Sequence, residues 1–198
     1  MIFGIYEALL DRVNDLLMGE DQTRDFMGRR LQRRMRVELP NPNSAPFVDE
    51  LKSLDTSGDS LECAITRIVV NNAHIWQWCQ RRSLDDGVNQ DYLDRNGWFN
   101  LVSPEGPFES ADCRLSICYW GQGLHYPRHT HVAEEIYYVL AGSAAFELDG
   151  QAPQTIGVGE FIVSKSGQPK SISMDNGPLL AIVPWRGYDL TQKPEMVA

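Results

Sequence analysis

The second half of the chain restricts the choice of fold more than any other feature. After Asn96 it breaks into short runs, CRLSICYWG, EEIYYVLAG, SAAFELDG, GEFIVSKSG and LLAIVPW, rich in β-branched and aromatic residues and punctuated by glycine-bearing turns. Parallel strands need helical crossovers between them, and no segment here is long enough to supply one. Some runs alternate apolar and polar residues, and others are continuously apolar. The pattern predicts an antiparallel all-β half, a small barrel or jelly roll.

The first half has a different period. Ile5, Ala8, Leu9, Val13, Leu16 and Leu17 recur at helical spacing, and Asp21, Thr23 and Asp25 open a second amphipathic run through Phe26, Leu31 and Met35. The proline-rich segment ELPNPNSAPFVDE stops that helix. A third helical stretch is predicted from Asp59 to Gln80, with Trp76, Trp78 and His74 as packing residues. The expected organisation is a helical extension, residues 1–95, packed on a β-barrel of residues 96–198 as one structural unit.

A chain of 198 residues, 42% hydrophobic, can bury a sizeable core. Eighteen basic against 27 acidic residues give a net charge of −9, which argues against nucleic acid as a partner. The basic run Arg29, Arg30, Arg33, Arg34 and Arg36 reads as a solvated face or as ion pairs. Cys63, Cys79, Cys113 and Cys118 form no CxxC pair and no disulfide framework, so they read as reduced thiols. No apolar run approaches the ~20 residues that span a bilayer, and MIFGIYEALLDRVNDLL lacks a leading basic cluster. These features predict a cytoplasmic monomer or homodimer with no membrane partner.

Three of the four histidines, His125, His129 and His131, fall within seven residues, followed by Glu134 and Glu135. Strand side chains alternate, so His129 and His131 share a face, and Glu135 and Tyr137 join them if the intervening chain is a simple turn or strand continuation. Two imidazoles and a carboxylate are a ligand set for Zn, Fe, Mn, Ni or Co that leaves positions open for substrate.

The stretch from Gly123 to Gly142, GLHYPRHTHVAEEIYYVLAG, resembles the first cupin motif, G-x5-H-x-H-x3-E-x6-G, at every fixed position. The second motif aligns from Gly159 through Gly167, with Lys165 where proline is usual, Met174 where asparagine is usual and Lys170 in place of the last metal-binding histidine. Helices ahead of the barrel, Tyr126 beside the histidines and Tyr137 after the glutamate are similar to the cupin-type lyases of dimethylsulfoniopropionate (DMSP), the DddQ-like group.

That resemblance implies a divalent metal on His129, His131 and Glu135, with the fourth ligand missing at Lys170. It also implies β-elimination, in which Tyr137 is the base and Tyr126 a second candidate or relay partner. A sulfonium has no hydrogen bond to give and prefers aromatic faces, here Trp120 or Tyr138, with Phe146 and Trp185 in the same half. Lys170 is placed against the substrate carboxylate. Two alternatives stand beside this reading. One is another metal-dependent cupin enzyme, an isomerase or oxygenase. The other is a non-catalytic small-molecule-binding cupin, which the lysine favours.

Overall fold

The computed structural model describes residues 2–36 and 38–197. Helices α1 (Ile2–Gly19), α2 (Asp21–Met27), α3 (Leu61–Asn71) and α4 (Gln90–Arg95) precede the strands, with 3-10 turns at Pro46–Ser53 and Leu84–Asp86. The strands are β1 (Asn96–Ser103), β2 (Phe108–Glu109), β3 (Cys113–Trp120), β4 (His125–Thr130), β5 (Glu134–Leu148), β6 (Gln154–Gly157), β7 (Phe161–Ser164), β8 (Lys170–Ser173), β9 (Leu179–Arg186) and β10 (Glu195–Met196). They form one sheet in the order β10-β4-β8-β5-β9-β3-β1-β2, with β6 and β7 also paired to β5. Every pairing is antiparallel except the two-residue β1–β2 contact. The fold is mainly β, with helices ahead of the barrel.

Period-2 alternation divides the buried residues into two cores. Ile136, Tyr138 and Leu140 of β5 face the helices, together with Ile117 and Tyr119 of β3 and Leu180 and Ile182 of β9. Leu9, Leu10, Val13 and Leu17 of α1, Ile65 and Val69 of α3, and Phe47, Trp76 and Trp78 pack on that face. Trp76 stacks on Phe99 at 4.8 Å, and its indole N–H donates to the Val69 carbonyl at 2.9 Å, so burial leaves its polar atom satisfied. The other parity, including Tyr137 and Val139 of β5, Cys118 and Trp120 of β3 and Ala181 and Val183 of β9, meets residues of β4, β6, β7 and β8 inside the barrel. Strands of this kind are buried on both faces, which explains the continuously apolar runs.

Two helical expectations change. The second helix ends at Met27 and not near Met35, because Gly28 takes the left-handed conformation (φ 67°) that closes it. The arginines that follow pair with acids instead: Arg30 with Asp15, Arg33 with Asp11, Arg29 with Asp112, and both Arg34 and Arg36 with Glu109. The third helix stops at Asn71, short of Gln80. Cys79 exchanges both backbone hydrogen bonds with Trp98 of β1, so this segment extends the sheet. All four cysteines are free. No helix among the described residues is long and apolar enough to cross a membrane.

Strand β5 serves both halves of the barrel by pairing with β7 and β9 at its start and with β6 and β8 at its end. The turn of direction falls at Gly142 (φ 79°), where a Cβ atom would lie 1.6 Å from the Pro178 carbonyl oxygen. Only glycine fits there.

Candidate active site

Cross-strand register assembles the site. Arg114 of β3 faces Trp185 of β9, Trp185 faces Glu135 of β5, and Glu135 faces Ser164 of β7. Residues directly opposite in antiparallel strands share a face, so this row runs across the barrel interior. On the neighbouring pair, His129 of β4 faces Lys170 of β8. The β4–β8 ladder slips between Tyr126 and His129, three residues apart on one strand against two on the other. This bulge turns both side chains inward, and their rings stack at 3.8 Å. Simple alternation would have placed them on opposite faces.

The centre of the site is an ion pair. Lys170, with no exposed surface, puts its Nζ 2.6 Å from Glu135 Oε1, 3.1 Å from His131 Nε2 and 3.1 Å from Ser164 Oγ. Burial opposes ionisation of Glu135, but Lys170 and His131 beside it together outweigh burial and hold the carboxyl well below the usual carboxylate range. His129 is pushed down to about 3, by burial first and by the Lys170 charge second. It is therefore a neutral imidazole. Its Nδ1 lies 2.8 Å from the Pro127 carbonyl, to which it donates, leaving a bare Nε2 without a partner.

A narrow cavity of about 80 Å³ opens on this centre, lined by His129, His131, Glu135, Tyr126, Tyr137 and Trp120. Burial and the Glu135 charge push the Tyr137 phenol well above its ordinary value. Burial raises Tyr126 too, but Arg82 donates to its hydroxyl at 2.6 Å and restrains the rise to about 12. Arg114 lies between the Trp98 and Trp185 rings, at 4.6 and 4.8 Å, and donates to neutral acceptors, Asn100 Oδ1 and the Leu190 carbonyl. Arg81, Arg82 and Arg114 make the cavity locally basic in an acidic chain.

Several sequence expectations need correction. Tyr138 lies on the opposite face from Tyr137, stacked on Phe161 and donating to Glu62 of α3 at 2.9 Å, so it does not line the cavity. Lys170 is fully buried, paired with Glu135 and donating to Ser164 Oγ, and is not among the residues that line the cavity, so it is not poised for a substrate carboxylate. His125 is exposed and bonds Ser173. Arg82 and Arg114 were not anticipated. Arg114 had a legible signal, because a charged residue at an inward position of an otherwise apolar strand needs a reason to be there.

The donors themselves test the divalent ion that the resemblance implies. Among the described residues no group of three or more His, Cys, Asp or Glu side chains is arranged to hold a metal. Two of the three expected donors, His131 Nε2 and Glu135 Oε1, are already engaged by an ammonium. The bare His129 Nε2 is suited to a metal, but the set as arranged fits a lysine cation and not a divalent ion.

An antiparallel barrel carrying the H-x-H-x3-E pattern on its inner face, with helices ahead of it, defines a cupin. More narrowly, the chain belongs to the DMSP lyase family, whose model, described as dimethylsulfoniopropionate lyase, matches residues 21–181. It is 39% identical over 107 residues to the dimethylsulfoniopropionate lyase DddQ of Ruegeria pomeroyi, an alignment covering 54% of this chain and 53% of that protein. The chain thus aligns with about half the length of that curated relative. Solved structures agree over nearly the full length. The crystal structure of DMSP lyase DddQ from Ruegeria pomeroyi superposes with a TM-score of 0.86 at 28% identity, covering 98% of this chain and 96% of that one. A chain from the crystal structures of the DMSP lyases RdDddP and RnDddQII gives 0.89 at 26% identity, covering 98% of each.

Proposed function

We propose that the chain cleaves DMSP to dimethyl sulfide and acrylate by β-elimination. The observation that carries this reading beyond family membership is the cavity wall: the Arg114 cation, hydrogen-bonded to neutral groups alone, adjoins the aromatic surfaces of Trp120, Tyr126 and Tyr137. A small zwitterion with a carboxylate at one end and a sulfonium at the other matches both ends. Arg114 binds the carboxylate as a charge-assisted fork, and the aromatic faces hold the sulfonium.

In the elimination a base takes the proton from the carbon beside the carboxylate. The released electron pair forms the C=C bond of acrylate, and the C–S bond breaks with its pair leaving on sulfur as neutral dimethyl sulfide. Of the two tyrosines, Tyr126 is favoured as base, because the Arg82 N–H stabilises its phenolate. Tyr137, facing the Glu135 charge, stays a phenol and is suited to donate a hydrogen bond to the substrate carboxylate. Glu135 is held too firmly ionised by Lys170 to be a strong base.

Headspace detection of dimethyl sulfide from purified protein and DMSP tests the reading. Turnover that disappears in Arg114→Met and Tyr126→Phe supports it, and no dimethyl sulfide from the wild-type protein refutes it. The same assay after dialysis against a chelator, with Zn, Fe, Mn, Ni or Co restored in turn, tests the expected metal. Any such ion has to displace Lys170 from Glu135 and His131.

A further inference from the structure

We infer that the Lys170 ammonium is a built-in cation standing where a cupin of this kind would carry its metal, so that the barrel holds its inward His131 and Glu135 together without a divalent ion. An ammonium has three N–H donors and no acceptor. Lys170 Nζ is enclosed by three buried polar atoms that can accept, Glu135 Oε1 at 2.6 Å as an ion pair, His131 Nε2 at 3.1 Å and Ser164 Oγ, to which it donates at 3.1 Å, and His131 Nε2 lies 3.0 Å from the same Glu135 oxygen. Two of those acceptors are the donors that a metal would take, and the third is brought into reach because β7 pairs Ser164 opposite Glu135. The substitution is therefore supported by its surroundings. A lysine left over from a lost histidine would have no reason to find a hydroxyl completing its shell, and its long stem would carry the charge toward solvent.

Charge supports the same conclusion. A buried carboxylate needs a compensating positive group, and one lysine at contact distance supplies it. Adding a divalent ion against the same oxygen would set two cations a few ångströms apart in a medium that screens them poorly. The two cations are alternatives at one place.

The test needs no lyase assay, so it can fail or succeed independently of the proposed activity. Purified wild-type protein, Lys170→His and Lys170→Met are dialysed with Zn²⁺ or Mn²⁺, desalted and analysed for bound metal, with affinities measured by calorimetry. The expected result is sub-stoichiometric metal in the wild type and affinity at least about 100-fold tighter in Lys170→His, which exchanges a like charge for a fourth ligand. Lys170→Met removes the lysine cation from Glu135, leaving it His131 alone at 3.0 Å, and is expected to melt lower, with Zn²⁺ raising its melting temperature while leaving that of the wild type unmoved. If Lys170→Met does not fold, the wild-type and Lys170→His affinities still decide. Stoichiometric metal in the wild type at an affinity matching Lys170→His would overturn the inference, as would an equal Zn²⁺-induced melting shift in wild type and Lys170→Met.

Discussion

The two cores on either side of β5 are both rich in aromatic side chains and treat polar atoms differently. On the helix side, the polar atoms of Trp76, Trp78 and Tyr6 each find a backbone carbonyl. Inside the barrel, His129 Nε2, His131 Nδ1 and both Glu135 oxygens are buried with no hydrogen bond, Oε1 meeting Lys170 only as an ion pair. Unsatisfied buried groups cost stability, and among the described residues they gather inside the barrel, with Thr66 Oγ1 of α3 the exception on the helix side. One face holds the fold together, and the other is kept reactive.

The largest effect that would sharpen this contrast is expected from Tyr126→Phe, which removes one inward hydroxyl. Turnover of DMSP should fall by ~10²–10⁴ while stability falls by only about 1 kcal/mol, because packing is retained and the loss is one Arg82 hydrogen bond and a general base. Steady-state kinetics beside a thermal melt reads both, and a large melting shift would show that Tyr126 belongs to the structural side of the division. The converse substitution is Trp76→Ala. It should cost ~3–5 kcal/mol of unfolding free energy while the folded fraction keeps its turnover number. Denaturant titration with activity per folded molecule checks this, and a specific loss of turnover would break the separation.

Proton linkage comes next. His129 is held at about 3 in the folded protein, against about 6.5 when unfolded. Between those values the unfolded chain binds a proton that the folded chain refuses, so stability is complete above pH 6.5 and falls as pH drops toward 3. The His129 contribution to the loss is about 2 kcal/mol by pH 5, and His129→Gln should flatten that slope in urea titrations at pH 7, 6 and 5. The smallest effect is expected from Tyr138→Phe, which removes the bond to Glu62. About 1 kcal/mol of stability should be lost with no change in DMSP affinity. A raised KM in this variant would return Tyr138 to the site.

Much of this was legible before any coordinates. The glycine-punctuated runs fix an antiparallel barrel because no crossover fits between them, and the spacing from His129 to Tyr137 places the polar cluster on one strand-and-turn unit. Two things were not legible. Alternation cannot foresee a bulge, so the inward position of both Tyr126 and His129 followed only from the slipped β4–β8 ladder. Distance in sequence hides partners: Arg82 reaches Tyr126 across 44 residues and Lys170 reaches Glu135 across 35, and neither pairing leaves a local pattern. Tyr138 misled for a simpler reason, since its neighbour Tyr137 shares its chemistry but lies on the other face of the pleat.

Gly142 completes the H-x-H-x3-E-x6-G pattern, yet it is nowhere among the residues lining the cavity, and the Pro178 carbonyl alone accounts for its identity. The pattern therefore mixes two messages written in adjacent letters, one about how a strand must bend and one about which atoms gather beneath it. A chain can carry every letter of the first message while the second depends on a residue far outside the pattern, as Glu135 depends on Lys170 of β8. The pattern on its own therefore reports the architecture and leaves open which cation sits beneath it.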